Sequence, residues 1–334
     1  MLKRLLLATA LAMVVTSPAI AKDVVVRYNN WLPPNYFMSK KALDPYFEEI
    51  KKVTEGRVVI EQTANAVGPV PRNYQLVTDG VADMSWGIHG YTPGAFPLSE
   101  MVELPFITKS AEENSVAYWK VFKKYFEPSG MHADVHTLTV QVHAPGNIFT
   151  TKPVTKVEDF VGLRLRAPSA GTGKRFEKLG AAPVGAPVTE TREMISRGLI
   201  DGLGFTSEAI YAFKLDSYIK NVIRFPGGFY NVSFFVVINK DKWGSIAPAD
   251  QAAIDAISGE ALARKMGRVW DEEVQIFNGR LVEDKKSVEE ASPELVRAIK
   301  EKIGDEEAAW VEQAGKAGVD GQAALSEFKQ LIGQ

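Results

Sequence analysis

The chain contains no cysteine and only four histidines, and these two scarcities narrow its chemistry. Without cysteine it has no disulfide, no thiol nucleophile and no thiolate metal site. His132 and His136 have the i,i+4 spacing of a zinc-binding helix, but their segment is β-rich, where four residues separate side chains by about 13 Å. The sequence also lacks the G-x-S-x-G motif of many hydrolases. We therefore expect no metal site and no catalytic centre of these kinds.

Long apolar runs are equally scarce, and the one present lies at the N-terminus. Lys3 and Arg4 precede the apolar residues 5–15, and residues 19–21 (Ala-Ile-Ala) are small enough for a cleavage site. This pattern predicts a signal peptide at residues 1–21, because the run is shorter than the roughly 20 residues of a spanning helix. We expect a periplasmic protein that is not inserted in the membrane after cleavage, although the same signal would also serve extracellular release.

The chain has no excess of basic charge. It carries 39 Lys and Arg residues against 41 Asp and Glu residues. Nucleic acids and anionic membrane surfaces attract basic proteins, so we expect neither as a partner. Hydrophobic residues make up 46% of the sequence, which is enough to build a core without disulfides, and the length favours two domains.

Short β-branched strands alternate with helices in the first part of the chain, which predicts a parallel, doubly wound sheet. A second strand–helix series starts near residue 162. Strand 136–143 leads towards the second series and strand 232–238 returns from it, so we expect the chain to cross between two lobes. The predicted boundaries are 22–146 plus 232–262 for lobe I and 147–231 plus 263–334 for lobe II.

The C-terminal part is predicted to be helical. Apolar residues spaced by threes and fours from 248 to 283 predict one amphipathic helix, roughly 50 Å long and able to lie across both lobes. Two shorter helices, 293–303 and 305–314, are expected to close the chain. In the second series, residues 199–203 predict a buried strand.

The stretch 162–168 holds the main candidate for a binding residue. Leu163 and Leu165 alternate with Arg164 and Arg166, which predicts a short strand ended by a proline. Arg166 is the last charged residue before the turn, and ligands of open α/β sheets bind at that end of the strands. Its guanidinium matches the geometry of a carboxylate. Taken alone, the stretch is also compatible with a strand whose basic face is solvated.

Two glycine-containing stretches only partly match nucleotide-binding loops. Residues 168–175 have the outline of a phosphate-binding loop, but Pro168 replaces its first glycine and Arg175 its Ser or Thr. Residues 202–204 (Gly-Leu-Gly) follow a predicted strand but lack the third glycine of a dinucleotide loop. We therefore expect no cofactor.

Several segments occur in the order and spacing of one protein family. They are residues 55–58, 78–84, 103–106, 157–168, 178–183, 198–202, 213–214 and 242–243. On these segments, and over nearly all of the predicted mature sequence, the chain resembles the DctP family, the periplasmic solute-binding proteins of tripartite ATP-independent periplasmic (TRAP) transporters.

The resemblance implies a type II periplasmic-binding-protein fold, with two α/β lobes joined by crossing strands and a long helix that spans both. It implies a non-enzymatic protein that captures a small organic acid and delivers it to the small and large subunits of a membrane permease for ion-coupled uptake. In this family the second arginine of the motif at 162–168 pairs with the ligand carboxylate, and that role maps onto Arg166. Arg164 stands where a lysine is usual and is expected to be solvated.

Two departures from the family pattern concern the ligand. The family often reads Asp-Gly-Gln-Glu-Asn where residues 201–205 are Asp-Gly-Leu-Gly-Phe, and no arginine stands near Gly146 as a second contact. Both departures remove polar contacts, and Phe205 adds a ring. We therefore predict an aromatic or otherwise hydrophobic monocarboxylate as the ligand. The other residues expected to contact it are Trp31, Trp86, His143, Tyr230, Asn231, Asn30 and Ser169, the last as a hydrogen-bond donor to the carboxylate.

Several alternatives stay open on the sequence alone. The ligand could be a more polar acid, such as a sugar acid or a dicarboxylate, and each aromatic residue could belong to the core instead. The same fold could serve as the ligand-sensing input of a receptor. An exported hydrolase or isomerase is a further alternative, for which the sequence offers no recognisable nucleophile.

Overall fold

Two β-sheets carry the architecture of the protein. The computed structural model describes residues 23–334, so the predicted signal peptide lies outside the described residues. The strands are β1 (Val24–Asn29), β2 (Val58–Gln62), β3 (Met84–Ile88), β4 (Val135–Val142), β5 (Asn147–Thr150), β6 (Arg164–Ala167), β7 (Ala182–Gly185), β8 (Gly202–Phe205), β9 (Asn221–Arg224), β10 (Ser233–Asn239) and β11 (Ser287–Glu290).

Helices cover the faces of both sheets. They are α1 (Asp44–Val53), α2 (Asn73–Thr78), α3 (Ala111–Val121), α4 (Ala170–Lys178), α5 (Thr191–Ser196), α6 (Ser207–Ala212), α7 (Lys240–Gly244), α8 (Pro248–Ile257), α9 (Gly259–Glu283), α10 (Pro293–Ile303), α11 (Glu306–Lys316) and α12 (Gly321–Leu331). Within this described part of the chain, no helix combines the length and the apolar character that crossing a bilayer requires.

The chain passes from one sheet to the other and back. The strand orders are β2-β1-β3-β10-β4 and β11-β9-β5-β8-β6-β7, and β10 and β5 run antiparallel to both of their neighbours. The two crossing segments, residues 143–146 and 225–232, join the sheets. Gly146 and Tyr230 pair in an antiparallel bridge where these segments meet. The structure therefore confirms the predicted two-lobed α/β architecture.

The predicted single helix at residues 248–283 is wrong, because the structure divides it into α8 and α9 at Ser258. Gly259 has a φ of +57°, and a Cβ atom there would lie 2.8 Å from Cζ2 of Trp119. Apolar residues of both helices belong to one core, so the apolar spacing continues through the break and conceals it. The 25-residue helix α9 contacts α3 and β4 as well as α6 and β11, and so lies across both lobes.

The buried strand predicted at residues 199–203 begins later, at Gly202. Gly198 has a φ of +66°, and the N–H of Leu199 donates to the carbonyl of Met194 over 2.8 Å. These are features of a turn that ends a helix with a left-handed residue. The turn occupies the residues that the hydrophobic run assigned to the strand, and it leaves Leu199 exposed.

The chain ends in three helices rather than the predicted two, because α12 follows α11. Trp310 and Phe328 of these helices are buried in one cluster with Val140 and Phe235 of the first sheet. Both helices therefore pack on the first sheet, although the predicted boundaries assigned residues 263–334 to lobe II. The lobe boundaries elsewhere stay a prediction.

Candidate functional site

A small cavity of about 50 Å³ is lined by residues of both sheets and both crossing segments. Its lining is largely apolar with a few polar groups, as in binding sites for small organic molecules. Arg166 is the single charged side chain in its lining. The aromatic side chains of the lining are Trp31, Tyr36, Trp86, Tyr91, His143, Phe205, Phe213, Tyr230, Phe234 and Trp270.

Arg166 lies next to the last residue of β6 and is only 2% exposed. Its Nε donates to the carbonyl of Ala186 over 2.9 Å, and its Nη1 to the carbonyl of Gly204 over 3.4 Å. Its Nη2 donates to the Tyr91 hydroxyl over 3.2 Å. Every hydrogen-bond partner that residues 23–334 offer to this guanidinium is neutral. Since a guanidinium has five N–H donors, this buried cation has both charge and donors left for an anion.

Tyr91 connects the two lobes at the guanidinium. It follows β3 of the first sheet, and its hydroxyl oxygen accepts hydrogen bonds from Arg166 and, over 2.8 Å, from the N–H of Val188. Burial raises the pKa of this phenol, so it stays protonated. Because the oxygen accepts both bonds, its own hydrogen is left to donate beside Arg166.

Stacked rings form one wall of the cavity. The ring of Trp86 lies between those of Trp31, 5.5 Å away at an interplanar angle of 16°, and Phe234, 4.8 Å away at 6°. The Nε1 of Trp31 donates to the carbonyl of Trp86 over 2.6 Å. β3 and β10 hold Trp86 and Phe234, so a rigid sheet supports a flat apolar surface.

The crossing segments contribute His143 and Tyr230. Their rings are 5.4 Å apart at 79°, an edge-to-face arrangement. The Nδ1 of His143 contacts the carbonyl of Ala144, and burial lowers the pKa of this imidazole to about 4, so it is neutral near pH 7. Gly146 allows the Tyr230 ring to approach, because a Cβ atom there would lie 2.3 Å from Cε1 of the ring.

A buried acid lies behind the cavity. Glu208 of α6 accepts a hydrogen bond from Thr206, a lining residue, while its Oε2 has no partner among residues 23–334. Burial raises the pKa of this carboxyl from 4.5 to about 7. Near neutral pH the side chain is therefore partly protonated, which limits the negative charge behind the lining residue Thr206.

Three of the predicted ligand contacts lie outside the lining of the cavity. Ser169 caps α4 by accepting from the N–H of Thr172 over 3.3 Å. Asn231 donates to the carbonyl of His143 over 3.0 Å, and Asn30 makes its contacts within its own loop and with β2 and the residue after it. The other predicted contacts line the cavity, namely Arg166, Phe205, Trp31, Trp86, His143 and Tyr230.

Five further aromatic residues line the cavity without having been predicted: Tyr36, Tyr91, Phe213, Phe234 and Trp270. Tyr91 follows β3 closely, and this position after a strand of the parallel sheet is the signal in the sequence that points to the cleft. Trp270 lies on the apolar stripe of α9. The spacing of apolar residues does not specify whether that stripe faces the cleft.

The two histidines with zinc-like spacing have separate environments. His132 is buried, its Nε2 lies 2.9 Å from Nε2 of His89, and burial lowers its pKa to about 3. His136 pairs with Asp255 at 2.8 Å on the surface. Among residues 23–334 no three His, Asp or Glu side chains are grouped so that they could hold a metal ion.

Comparison with known proteins links this geometry to a family. The family model DctP, described as bacterial extracellular solute-binding protein, family 7, matches residues 29–312. A TRAP periplasmic solute-binding protein from Bordetella bronchiseptica, solved with bound (R)- and (S)-mandelate, is 35% identical. It superposes with a TM-score of 0.90 over 93% of this chain and 99% of its own.

Two further relatives are similar over most of their length. A marine metagenome TRAP solute-binding protein specific for aromatic acid ligands, solved with 3-hydroxybenzoate, is 30% identical, with a TM-score of 0.87 over 93% of this chain and 98% of its own. A protein of Comamonas testosteroni named outer membrane transporter protein TsaT is 28% identical over 98% of this chain and 97% of its own. Because the family model covers most of the chain, the protein belongs to the DctP family and is a TRAP solute-binding protein.

Proposed function

We propose that the protein captures an aromatic monocarboxylate between its lobes and delivers it to a TRAP membrane permease. The observation that carries the proposal is the buried guanidinium of Arg166, which has only neutral partners in the described chain and opens into an aromatic cavity. A carboxylate bound there would compensate a charge that is otherwise costly to bury.

The donors at one end of the cavity suit a single carboxylate. Arg166 uses three of its N–H groups on protein oxygens, which leaves two for a ligand. The free hydrogen of the Tyr91 hydroxyl adds a third donor close by. Tyr91 thus takes the place of the second cationic contact whose absence is evident in the sequence. Charge-assisted bonds of this kind are among the stronger ones in proteins.

The walls favour an aromatic acid over the more polar alternatives. A dicarboxylate would need a second cation, but Arg166 is the single charged residue of the lining. The hydroxyl groups of a sugar acid would lose their water against Trp86, Phe205 and Phe234. A ring gains both apolar burial and favourable ring contacts at the same surface. The mandelate and 3-hydroxybenzoate bound to two relatives belong to the favoured class.

The other parts of the proposal concern the cellular setting. Members of the family are extracytoplasmic, and we propose that the signal peptide at residues 1–21 directs this protein to the periplasm. There it would present the loaded, closed form to the small and large permease subunits. We also propose that it has no enzymatic activity, so bound acid should be recovered unchanged after long incubation with the purified protein.

The decisive experiment replaces Arg166 with alanine. We expect the Kd for an aromatic acid such as mandelate to rise about 100-fold or more, because breaking a buried ion pair costs about 3–5 kcal/mol. Isothermal titration calorimetry measures the affinity. The melting temperature of the ligand-free variant reports whether it folds.

Arg164→Ala is the matched control, two residues away on the same strand. Arg164 is exposed and pairs with Asp201 at 2.8 Å. Since such surface pairs contribute about 0–1 kcal/mol, we expect an unchanged Kd. A folded Arg166→Ala protein that binds the acid as tightly as the Arg164→Ala protein would refute the proposed role of Arg166.

A further inference from the structure

The hydrogen bonding of His143 fixes which of its nitrogens carries the proton. Nδ1 contacts the carbonyl oxygen of Ala144, which can only accept, so Nδ1 is the protonated nitrogen. The ring is 5% exposed and neutral near pH 7. In a neutral imidazole with the proton on Nδ1, Nε2 carries a lone pair and no hydrogen.

This Nε2 has no hydrogen-bond partner in the described part of the chain, although His143 lines the cavity. A polar atom that faces a cavity without a protein partner is available to a ligand there. The nitrogens of the other lining side chains are donors: the guanidinium of Arg166 and the indole N–H groups of Trp31, Trp86 and Trp270, of which the last two lack a partner among residues 23–334. His143 Nε2 is thus the one side-chain atom of this lining that can accept but cannot donate.

His143 and Arg166 line the same cavity, and besides burial the charge of Arg166 contributes to the lowered pKa of His143. Its ring contacts Tyr230 edge to face at 5.4 Å and Trp270 at 5.8 Å. Tyr230 in turn lies against Gly204, whose carbonyl accepts from Arg166. Tyr230 therefore contacts His143 and also the residue that binds Arg166, so a ligand whose carboxylate is held at Arg166 has a second part of its skeleton available for Nε2.

We propose that Nε2 of His143 accepts a hydrogen bond from a hydroxyl group of the ligand, so that the preferred ligands are hydroxylated aromatic monocarboxylates. This inference rests on the proposed function, since it needs an aromatic acid in the same cavity. An acid without a hydroxyl group leaves the imidazole lone pair buried and unpaired, which carries a desolvation penalty. His143 is then a specificity-determining residue, and Arg166 supplies affinity for all acids of the class.

The test compares acids that differ by one hydroxyl group. Phenylacetate is the parent, mandelate carries the hydroxyl on the α-carbon, and 3-hydroxyphenylacetate carries it on the ring. Titration calorimetry of the wild-type protein should give at least one hydroxylated acid with a Kd about 10–100 times lower than that of phenylacetate. Which of the two gains identifies the position of the hydroxyl group, and 3-methoxyphenylacetate, which cannot donate, should show no gain.

His143→Phe supplies the second half of the test, because phenylalanine keeps the ring contacts and removes the acceptor. We expect the ratio of the Kd of phenylacetate to the Kd of the hydroxylated acid to fall to about one in this variant. A variant that fails to fold would be recognised by its melting curve. The wild-type comparison with the matching methyl ether, 3-methoxyphenylacetate for the ring hydroxyl or α-methoxyphenylacetate for the α-hydroxyl, then decides on its own.

Two results would overturn the inference. One is a wild-type protein that binds phenylacetate as tightly as both hydroxylated acids, and the other is a preference that persists in His143→Phe. In either case, an aromatic acid that binds the wild-type protein but not Arg166→Ala would still support the proposed function. If no aromatic acid binds the wild-type protein, the proposed function fails and the inference fails with it.

Discussion

Arg164 and Arg166 are two residues apart on one strand, yet their surroundings differ. Arg164 is exposed and paired with Asp201, whereas Arg166 is buried and has no acidic partner in the described chain. Alternation along a strand predicts that both point to the same face. The difference arises from Tyr91 of the other lobe and from Phe205, which cover Arg166 alone. The sequence could propose Arg166 by its place in a motif, but the burial depends on contacts between distant segments.

The buried carboxyl of Glu208 should make the free energy of unfolding depend on pH. Its carboxyl pKa is raised from 4.5 to about 7, so the folded protein binds more protons than the unfolded chain between these values. The contribution of Glu208 to the free energy of unfolding is therefore fully present below about pH 4.5. It decreases by up to about 3 kcal/mol as the pH rises to about 7. Glu208→Gln should unfold at higher denaturant concentration than wild type at pH 8.

Urea unfolding at several pH values between 5 and 8 checks this expectation. Glu103, another buried carboxyl whose pKa is raised to about 7, titrates in the same window. The Glu208→Gln protein should therefore keep about half of the pH dependence of the wild type. If the free energy of unfolding changed equally with pH in the wild type and in Glu208→Gln, the expected titration of Glu208 would be contradicted.

Helices α9 and α3 form a close contact. Gly267 of α9 lies against the start of α3, where a Cβ atom would be 2.5 Å from the carbonyl oxygen of Ala111 and 2.6 Å from Cα of Glu112. Asp271, one turn further along α9, accepts from the N–H groups of Ala111 and Glu112 over 2.8 and 2.9 Å. The long helix is thus held to the first lobe by both backbone proximity and a cap on α3.

We expect Gly267→Ala to lower the free energy of unfolding by about 1–3 kcal/mol, because the new methyl group meets backbone atoms that cannot move freely. Chemical denaturation measures the change.

Gly279→Ala in the same helix is the control. No atom lies within 4 Å of a Cβ atom at Gly279, so alanine should raise the free energy of unfolding by about 0.5–1 kcal/mol through helix propensity. A gain in stability at both positions would show that the contact between α9 and α3 is looser than described.

The positions of strands and helices were easier to predict from the sequence than the directions in which their side chains point. Trp86 and Phe205 lie on strands and Trp31 directly follows one. All three were predicted as ligand contacts, Phe205 through its departure from the family pattern. Trp270 comes from the side of a helix, and its direction follows from the packing of α9 across both sheets. Ser169 opens a Ser-x-x-Thr pattern immediately before a helix, which is typical of a cap and could have been recognised.

On the scale of the whole molecule, an ion pair joins the two lobes. Arg175 of α4, packed on the second sheet, donates from Nη2 to Oε2 of Glu306 over 2.7 Å. Glu306 begins α11, which packs on the first sheet. The guanidinium is 3% exposed and also donates to the carbonyls of Phe229 and Glu103. This pair therefore links α4 directly to the start of α11, which two residues separate from α10, and α10 also packs on α4.

Removing the charge of Glu306 should loosen this connection. We expect Glu306→Gln to lower the free energy of unfolding by about 3 kcal/mol, since Arg175 stays buried without its counter-charge. Glu307→Gln is the neighbouring control. Glu307 pairs with Lys329 on the surface, where such a pair contributes about 0–1 kcal/mol. Guanidinium unfolding of both variants provides the measurement, and similar losses would argue against the role of the interlobe pair.

The architecture itself could be predicted because two strand–helix series and two crossing strands are evident in the sequence. The errors lie where a local feature interrupts a regular pattern, as Gly259 does between α8 and α9 and Gly198 does before β8. A left-handed glycine leaves the apolar spacing on either side intact, so periodicity does not detect it. The packing of α11 and α12 on the first sheet joins residues far apart in sequence and likewise leaves no local signal.

The stacked wall of the cavity gives the protein an intrinsic optical reporter. Three of its six tryptophans, Trp31, Trp86 and Trp270, line the cavity. Indole emission responds to nearby charges and rings, so arrival of an aromatic anion should change the fluorescence of unlabelled protein. Stopped-flow mixing can therefore time ligand capture in a single trace, without a dye on the protein.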